Sequence, residues 1–258
     1  MKNYFLLLSL FLLSFCENKN TLTVMSYNVR HGVSMNWEPA LENQASILKN
    51  QAPDWVALQE IDNICRRSGL VDQTNRFSEW LQMDGTFGKF MDFDSGQYGM
   101  AVLSGMKVLD SEVMSLPEGA EPRVAIIQTI EYLPGIHLAL ANVHLDWTQP
   151  EFRLSQARSL VRRLDEIALP AIILGDFNAG PGSPTLDLFQ KAGFIFIEKG
   201  DNHLTWEAAN PTEELDHVCF RPAGKVAIFP LDCEVLNEPE ASDHRPIVAK
   251  FHLKVPHE

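Results

Sequence analysis

Six apolar segments of this chain carry, at or beside an end, residues able to do chemistry. Asn28 closes Val24-Met25-Ser26-Tyr27-Asn28, and Glu60 closes Val56-Ala57-Leu58-Gln59-Glu60. Asn142 and His144 interrupt the run from Leu138 to Leu145, and Ala171-Ile172-Ile173-Leu174 leads into Gly175-Asp176-Phe177-Asn178. Asp216 stands in Leu215-Asp216-His217-Val218, and Asp243-His244 precedes Arg245-Pro246-Ile247-Val248. A carboxylate at the end of a buried strand is costly unless it is paired or holds a cation. One such residue reads as a turn or a cap, whereas this many at strand ends read as one site.

The residue types fit one chemistry. Oxygen ligands without a cysteine cluster suit Mg²⁺, Mn²⁺ or Ca²⁺ rather than a structural zinc. Mg²⁺ keeps several waters and takes one or two carboxylates, which Glu60 and Asp243 would supply. His244, with an aspartate upstream, makes an oriented acid–base or electrophilic pair. Asp176 and Asn178, two positions apart, can hold a water and a phosphate oxygen from one side of a loop. Arg123, in Glu121-Pro122-Arg123, reads either as a phosphate fork or as a surface ion pair.

Strands are expected at Leu22–Val29, Trp55–Ile61, Gly99–Ser104, Lys107–Ser115, Val124–Glu131, Ile136–Leu145, Ala171–Leu174, Leu215–Phe220, Val226–Leu236 and Pro246–His252. Val, Ile and Leu dominate many of these runs, and Gly, Pro, Asn or Asp bound them. Helices are expected at Glu38–Asn50, Asn75–Leu81, Pro150–Ile167 and Ser183–Ala192. The third is the clearest: Phe152, Ala157, Leu160, Val161, Leu164 and Ile167 follow helical spacing. Arg153, Arg158, Arg162 and Arg163 are interleaved as a solvated face. Helices are sparse among the later strands, which favours mixed or antiparallel pairing over a doubly wound sheet. Trp37, Phe87, Phe90, Phe93, Trp147 and Trp206 lie in polar stretches and read either as core or as the rim of a binding site.

The chain has 258 residues, 45% hydrophobic and 21% charged. That composition excludes disorder and collagen-like structure, and the absence of repeats or linkers beyond residue 20 gives one domain. Lys and Arg total 21 against 34 Asp and Glu, a formal charge of −13. An acidic chain is a poor non-specific nucleic-acid binder, so no stable nucleic-acid partner is expected. A phosphate-bearing substrate remains compatible, because a metal ion supplies positive charge locally. Lys2 and the apolar run from Tyr4 to Phe15 have the layout of a signal peptide over residues 1–16. Leu13-Ser14-Phe15-Cys16 resembles a bacterial lipobox, although Phe15 stands where a small residue is usual. Residues 17–21 then form a short tether, and the domain runs over 22–255. The expectation is an exported protein of the bacterial envelope, lipid-anchored or soluble, and monomeric. Cys65, Cys219 and Cys233 remain. Cys219 and Cys233 lie on neighbouring apolar segments and could pair across a hairpin, or all three could be buried thiols.

The motifs resemble those of the endonuclease/exonuclease/phosphatase superfamily. They are Ser26-Tyr27-Asn28-Val29, Leu58-Gln59-Glu60, Tyr98-Gly99-Met100-Ala101-Val102-Leu103-Ser104, Asn142-Val143-His144-Leu145-Asp146, Gly175-Asp176-Phe177-Asn178, Leu215-Asp216-His217-Val218 and Ser242-Asp243-His244-Arg245-Pro246. They run in family order over nearly the whole domain. Glu60-Ile61-Asp62, Arg66-Arg67-Ser68-Gly69 and Val71-Asp72-Gln73 are similar to exported bacterial members of metal-dependent hydrolase type. The resemblance implies an α/β four-layer sandwich, two mixed β-sheets face to face with helices outside and the site at one end. It implies Glu60 as principal metal ligand beside Asn28, with Asp243 coordinating directly or through water. Asp176 would orient or deprotonate the attacking water, and Asn178 would hold it and the phosphate. His244, oriented by Asp216, would stabilise the transition state or act as acid or base. Arg123, His144 and Asn142 would complete the phosphate pocket. The implied reaction is metal-assisted, in-line attack of water on a phosphodiester or phosphomonoester, a lipid head group or other small phosphoester. Met100 and Gly105 depart from common family residues without removing a catalytic group, and His217 reads as structural or rim-lining. A secreted nuclease is the alternative enzyme. A non-catalytic binding protein on the same scaffold is the alternative of another class. The Gly-Asp-x-His and Gly-Asn-His-Glu motifs of calcineurin-like phosphatases do not occur.

Overall fold

The computed structural model describes residues 21–254. The segment expected as a signal peptide, Cys16, nearly all of the expected tether and residue 255 of the expected domain lie outside the described residues. One six-stranded sheet has the order β11-β12-β1-β2-β4-β3. Its strands are β1 (Thr21–Asn28), β2 (Trp55–Asn63), β3 (Asp84–Phe93), β4 (Gly96–Ser104), β11 (Ala227–Val235) and β12 (Ile247–Lys254). The second six-stranded sheet has the order β5-β6-β7-β8-β10-β9. It comprises β5 (Lys107–Ser115), β6 (Val124–Leu133), β7 (Ile136–His144), β8 (Ala171–Asp176), β9 (Ile195–Phe196) and β10 (Asp216–Arg221). Each sheet has one parallel pair, β1 with β2 and β7 with β8, and antiparallel pairs elsewhere.

Strand alternation builds the layers. Even-numbered side chains of β7 and β8, such as Leu140, Ile172 and Leu174, enter a core shared with Trp55, Met100 and Phe251 of the facing sheet. Odd-numbered ones, such as Ala141, Val143 and Ile173, face outward onto Ala157, Leu160, Leu186 and Phe189. Those residues belong to α3 (Pro150–Ile167) and α4 (Pro184–Lys191). The outer face of the first sheet, with Tyr27, Val56, Leu58 and Leu103, is covered by Ala45, Leu48 and Phe77 from α1 (Leu41–Gln51) and α2 (Gln73–Leu81). The result is the expected helix–sheet–sheet–helix sandwich. Strands covered on both faces read as continuous apolar runs, which is why most were visible in the sequence. Pro150 begins α3 in the first turn, where its missing N–H costs nothing. Asp72 and Ser183 cap α2 and α4 by accepting from Asn75 N and Leu186 N.

The structure differs from expectation in a few places. β3 and β9 were not foreseen. β3 is an edge strand with a largely half-buried or exposed pattern, and its Gly85 and Gly88 interrupt any apolar alternation. Cys219 and Cys233 do not share a hairpin, because β10 and β11 belong to different sheets, and Cys65, Cys219 and Cys233 are all buried free thiols. The α3 arginines are only partly a solvated face, since Arg153 donates to the Asp146 carbonyl at 3.0 Å and Arg163 pairs with Glu112 at 2.8 Å. Among the described residues no helix is long and apolar enough to cross a membrane.

Candidate active site

The apolar rows of the inter-sheet core run into polar residues at one end. On β1 the inward row Leu22, Val24, Ser26 ends at Asn28, and on β8 the row Ile172, Leu174 ends at Asp176. On β10 the row Phe220, Val218 ends at Asp216, and on β7 the row Leu138, Leu140, Asn142 ends at His144. Sheet register lines three of these up: His144 pairs with Asp176, and Asp176 pairs with Asp216. Gly175 permits this close approach. Its φ is +146°, and a Cβ there would lie 2.0 Å from the Val143 carbonyl oxygen.

Glu60 reaches the site by a different device. The pairing of β2 with β4 shifts register between Gln59 and Ile61, and Glu60 has φ 57°. Gln59 faces the inter-sheet core, where it bonds Asn142, while Leu58 and Ile61 both face outward. Regular alternation would have sent Glu60 outward beneath α2. The bulge turns it into the cleft instead, at a backbone cost of about 1–3 kcal/mol. Asn178 likewise has a positive φ, 48°, which asparagine tolerates best among non-glycine residues.

Side chains converge on a cleft of about 430 Å³ lined by Glu60, Arg123, His144, Asp176, Asn178, Asp243 and His244. Asn28 spans the two sheets, donating to Glu60 Oε1 at 3.1 Å and to Asp176 Oδ2 at 3.2 Å. His244 Nδ1 lies 2.8 Å from Asp216 Oδ2, and its Nε2 is 3.7 Å from Asp176 Oδ2. His144 Nε2 is 3.5 Å from the same Asp176 oxygen. Arg123 Nη1 donates to His144 Nδ1 at 3.3 Å, and a guanidinium has no acceptor. That bond therefore fixes the neutral Nε2–H tautomer of His144. Arg123 is buried, and its Nη2 pairs with Glu121 at 3.0 Å while its Nε has no protein partner. It is thus a buried fork at the cleft rather than a surface ion pair.

The electrostatics separate the two histidines. Burial and the neighbouring Arg123 push His144 well below the usual imidazole range. Burial also opposes charge on His244, but Asp216 and Asp176 outweigh it and raise its pKa to about 10. Burial lifts Asp176 to about 7, against the pull of His244. Glu60 is held down to about 2: burial opposes this, but the neighbouring His31 ring, a hydrogen bond from Asn28 and the cationic His244 prevail. Burial, with Glu60 nearby, raises Asp243.

Asn142 does not reach the phosphate pocket. Its amide donates to the Leu58 and Ala101 carbonyls at 3.0 and 2.8 Å, and its oxygen accepts from Gln59 at 2.7 Å. One pleat below His144 and fully buried, it ties the sheets together beneath the site. Residues absent from the sequence reading also contribute. Arg30 and His31 follow Asn28 with positive φ values of 47° and 45°. Arg30 Nε lies 3.4 Å from Asp243 Oδ2, and the guanidinium stacks 4.0 Å from the Trp37 ring centroid. His31 Nδ1 is 3.7 Å from Glu60 Oε2, and its carbonyl accepts from Gln73 Nε2 at 2.7 Å. Ser242 Oγ donates to the Asn28 carbonyl at 2.7 Å, drawing the segment with Asp243 and His244 onto the end of β1. The nearest signal was the position of Arg30 and His31 two and three residues after Asn28. Of the aromatic candidates, Trp147 and Trp206 line the cleft with Tyr98, and Phe90 is buried. Phe87 packs partly buried beneath the helices of the first sheet.

The donor set suits a hard divalent cation. Glu60 and Asp243 present carboxylate oxygens to the cleft, while Asn28 turns its amide nitrogen to Glu60 and its oxygen to Arg30 N at 3.1 Å; burial and the nearby Glu60 raise Asp243, which a cation would relieve. Among the described residues, Asp176, Asp216 and His244 form a cluster of candidate ligand atoms within 4.8 Å of one another. There the Asp216–His244 hydrogen bond already engages one carboxylate oxygen and Nδ1. That cluster is better suited to moving protons than to holding metal.

A two-sheet sandwich with this array at one end defines a phosphoester-hydrolase class, and the sequence agrees. Residues 25–244 match the model of the Endonuclease/Exonuclease/phosphatase family, and the chain belongs to that family. Its members are phosphoester hydrolases, typically dependent on divalent metal. No curated protein sequence is a significant match. Among solved structures, an endonuclease/exonuclease/phosphatase from Bacteroides vulgatus superposes with a TM-score of 0.74 at 21% identity, covering 91% of this chain and 99% of that one. A humanized D. rerio TDP2 gives 0.74 at 20% identity, with 90% and 99% covered. A mannosyl-6-phosphatase from Bacteroides thetaiotaomicron gives 0.70 at 19% identity, with 90% and 99% covered.

Proposed function

We propose that this chain is an Mg²⁺-dependent phosphoesterase that hydrolyses a small phosphodiester or phosphomonoester by in-line attack of water. The observation carrying this reading is the setting of Asp176. Its carboxylate lies between the neutral His144, at 3.5 Å, and the cationic His244, at 3.7 Å, with a pKa raised by burial to about 7. A base poised near neutrality beside a fixed cation is the pairing that proton abstraction and charge stabilisation need.

In this reading Asp176 takes the proton of the attacking water, and the Asn28 amide holds that carboxylate in place. Asn178 positions the water and a phosphate oxygen. Arg123 binds a second phosphate oxygen through its fork, and His144 donates from Nε2. His244, kept protonated by Asp216, presents Nε2–H to the developing charge. Glu60 and Asp243 are the residues that would hold Mg²⁺, with Asn28 beside them fixing Glu60 and with Mn²⁺ or Ca²⁺ as substitutes. When bound, the ion would supply charge neutralisation at the phosphate.

The cleft wall argues for a compact substrate. Its carboxylates Glu60, Glu121, Asp176, Glu213 and Asp243 outnumber the guanidinium of Arg123, and no lysine lines it. That is a poor track for a polyanionic strand. Trp147, an exposed ring, and Trp206 offer flat faces to a sugar or other small leaving group. A sugar phosphate or a lipid head group fits such walls. A nuclease is the second reading, favoured by the likeness to a D. rerio TDP2 complexed with single-strand DNA product. Export to the bacterial envelope, a lipid on Cys16 and a monomeric state complete the proposal.

The test is turnover of bis-p-nitrophenyl phosphate, p-nitrophenyl phosphate, hexose 6-phosphates, sphingomyelin and single-stranded oligonucleotides, with Mg²⁺ and with EDTA. Metal-dependent turnover of a small ester, lost in Glu60→Ala, is expected. Metal-dependent oligonucleotide cleavage alone would favour the nuclease. A folded protein that neither turns over any substrate nor binds metal would favour the non-catalytic scaffold.

A further inference from the structure

At the end of β10 that carries Asp216, β8 still pairs on one side but no strand remains on the β9 side. β9 pairs only with Cys219 and Phe220, and Ile197 N still bonds the Val218 carbonyl at 3.0 Å. Beyond that point side chains replace the ladder. Lys199 Nζ donates to the Asp216 carbonyl at 2.6 Å, and Thr205 Oγ1 accepts from Leu215 N at 3.1 Å and Asp216 N at 3.2 Å. The Lys199 side chain is only 1% exposed. Its remaining donors go to Glu214 Oε1 at 2.7 Å and His217 Nδ1 at 3.3 Å. An ammonium has three donors, and each therefore has an acceptor.

The same network reaches the other half of the site. His217 is fixed by its two bonds, since Nδ1 accepts from Lys199 and Nε2–H donates to the Ala179 carbonyl at 2.8 Å. Ala179 follows Asn178. The backbone of Thr205 accepts from Arg245 N at 2.9 Å, one residue beyond His244. Lys199 and Thr205 thus grip both partners of the Asp216–His244 pair and the loop bearing Asn178. A cavity of about 470 Å³ opens beside Lys199, His203, Glu214 and His217.

We propose that Lys199 is a positioning residue, which replaces the missing strand at the end of β10 and sets the Asp216 carboxylate against His244. Neither Lys199 nor Thr205 lines the cleft. The inference rests on the proposed hydrolysis for its kinetic readout, so a second readout is independent of activity. A buried imidazole N–H bonded to a carboxylate gives a low-field proton resonance, assigned by its loss in His244→Gln. In Lys199→Met it is expected to shift or vanish. Kinetically, Lys199→Met is expected to lower kcat about tenfold or more, with KM held within about twofold, because slight misplacement of catalytic groups is costly. Thr205→Val, nearly isosteric, should lower kcat in the same direction by a smaller factor. In Lys199→Ala, alkylammonium ions entering through the adjacent cavity should restore kcat saturably, which a purely structural defect would not allow. A folded Lys199→Met with an unchanged resonance and unchanged kcat overturns the proposal. If that variant does not fold, unchanged kcat and an unchanged resonance in Thr205→Val overturn it. If the wild type turns over no tested ester, the resonance alone decides.

Discussion

Asn28 on β1 and Asp176 on β8 meet across the gap between the two sheets, 3.2 Å apart. The same amide also holds Glu60 at 3.1 Å, so one side chain sets the spacing between the proposed metal ligand and the proposed base. Asn28→Ala removes both bonds and leaves two carboxylates facing each other unbridged. We expect kcat to fall by about two orders of magnitude and stability by about 1–3 kcal/mol. Asn28→Asp should be worse for stability than Asn28→Ala, because it adds a third carboxylate. Steady-state kinetics and denaturant melts check both.

Asp216 is the principal cause of the high pKa of His244. In Asp216→Asn the hydrogen bond can persist but the charge cannot, so His244 should lose its proton at lower pH. The activity of the variant is expected to fall by about 10²–10⁴-fold. NMR titration of the His244 ring should place its pKa below the wild-type value of about 10. An unchanged value would contradict the assignment.

His217 offers a stability prediction with a defined sign. Burial and Lys199 lower its pKa from 6.5 to about 4, against the carboxylates Glu214 and Asp216 and the bond to Ala179. The unfolded chain therefore binds a proton below about pH 6.5 that the folded chain refuses until about pH 4. Its contribution is fully present above pH 6.5 and is lost as pH falls through that window, on the order of 3 kcal/mol in all. Urea melts at pH 7, 5.5 and 4.5 should show a steeper loss for the wild type than for His217→Gln.

Divalent cation should stabilise the fold as well as support turnover, because an ion that binds only the native site shifts unfolding by mass action. Saturating Mg²⁺ is expected to raise the Tm of the wild type. EDTA should reverse the rise, and Glu60→Gln should show little of it. Equal shifts in both proteins would place the ion elsewhere.

Gly175→Ala should fold poorly. The new Cβ would meet the Val143 carbonyl oxygen at 2.0 Å with φ at +146°, so β7 and β8 would have to separate just where His144 and Asp176 pair. A loss of more than about 3 kcal/mol is expected from overpacking and backbone strain together, measured by thermal melting.

Much of this was legible in the sequence because the site continues the apolar rows. Asn28, His144, Asp176 and Asp216 sit where an inward row runs out, and a chain with period-two alternation announces that point. Glu60 was legible as a carboxylate closing an apolar run, but the strand continues to Asn63 and the bulge that aims Glu60 was not legible, since nothing in Leu58-Gln59-Glu60-Ile61 marks a positive φ. Asn142 was misread for the converse reason: its row was correct, but it lies one pleat too deep. Arg30 and His31 depend on a turn held by the local Ser34 and by Gln73 from a distant segment, and Lys199 on a strand that stops early. Such contacts are set by tertiary geometry. The Cys219–Cys233 hairpin failed similarly, because consecutive strands went to different sheets.

β1 has one further consequence. It begins at Thr21 and ends at Asn28 in the cleft, and Thr21 pairs with His252 near the end of β12. The described chain therefore enters and leaves at the pole opposite the catalytic mouth, about 25 Å away for eight extended residues. If the proposed lipid on Cys16 is present, it joins the molecule at this base while the mouth opens at the far pole, which would favour the sugar phosphate over the lipid head group between the two substrates proposed.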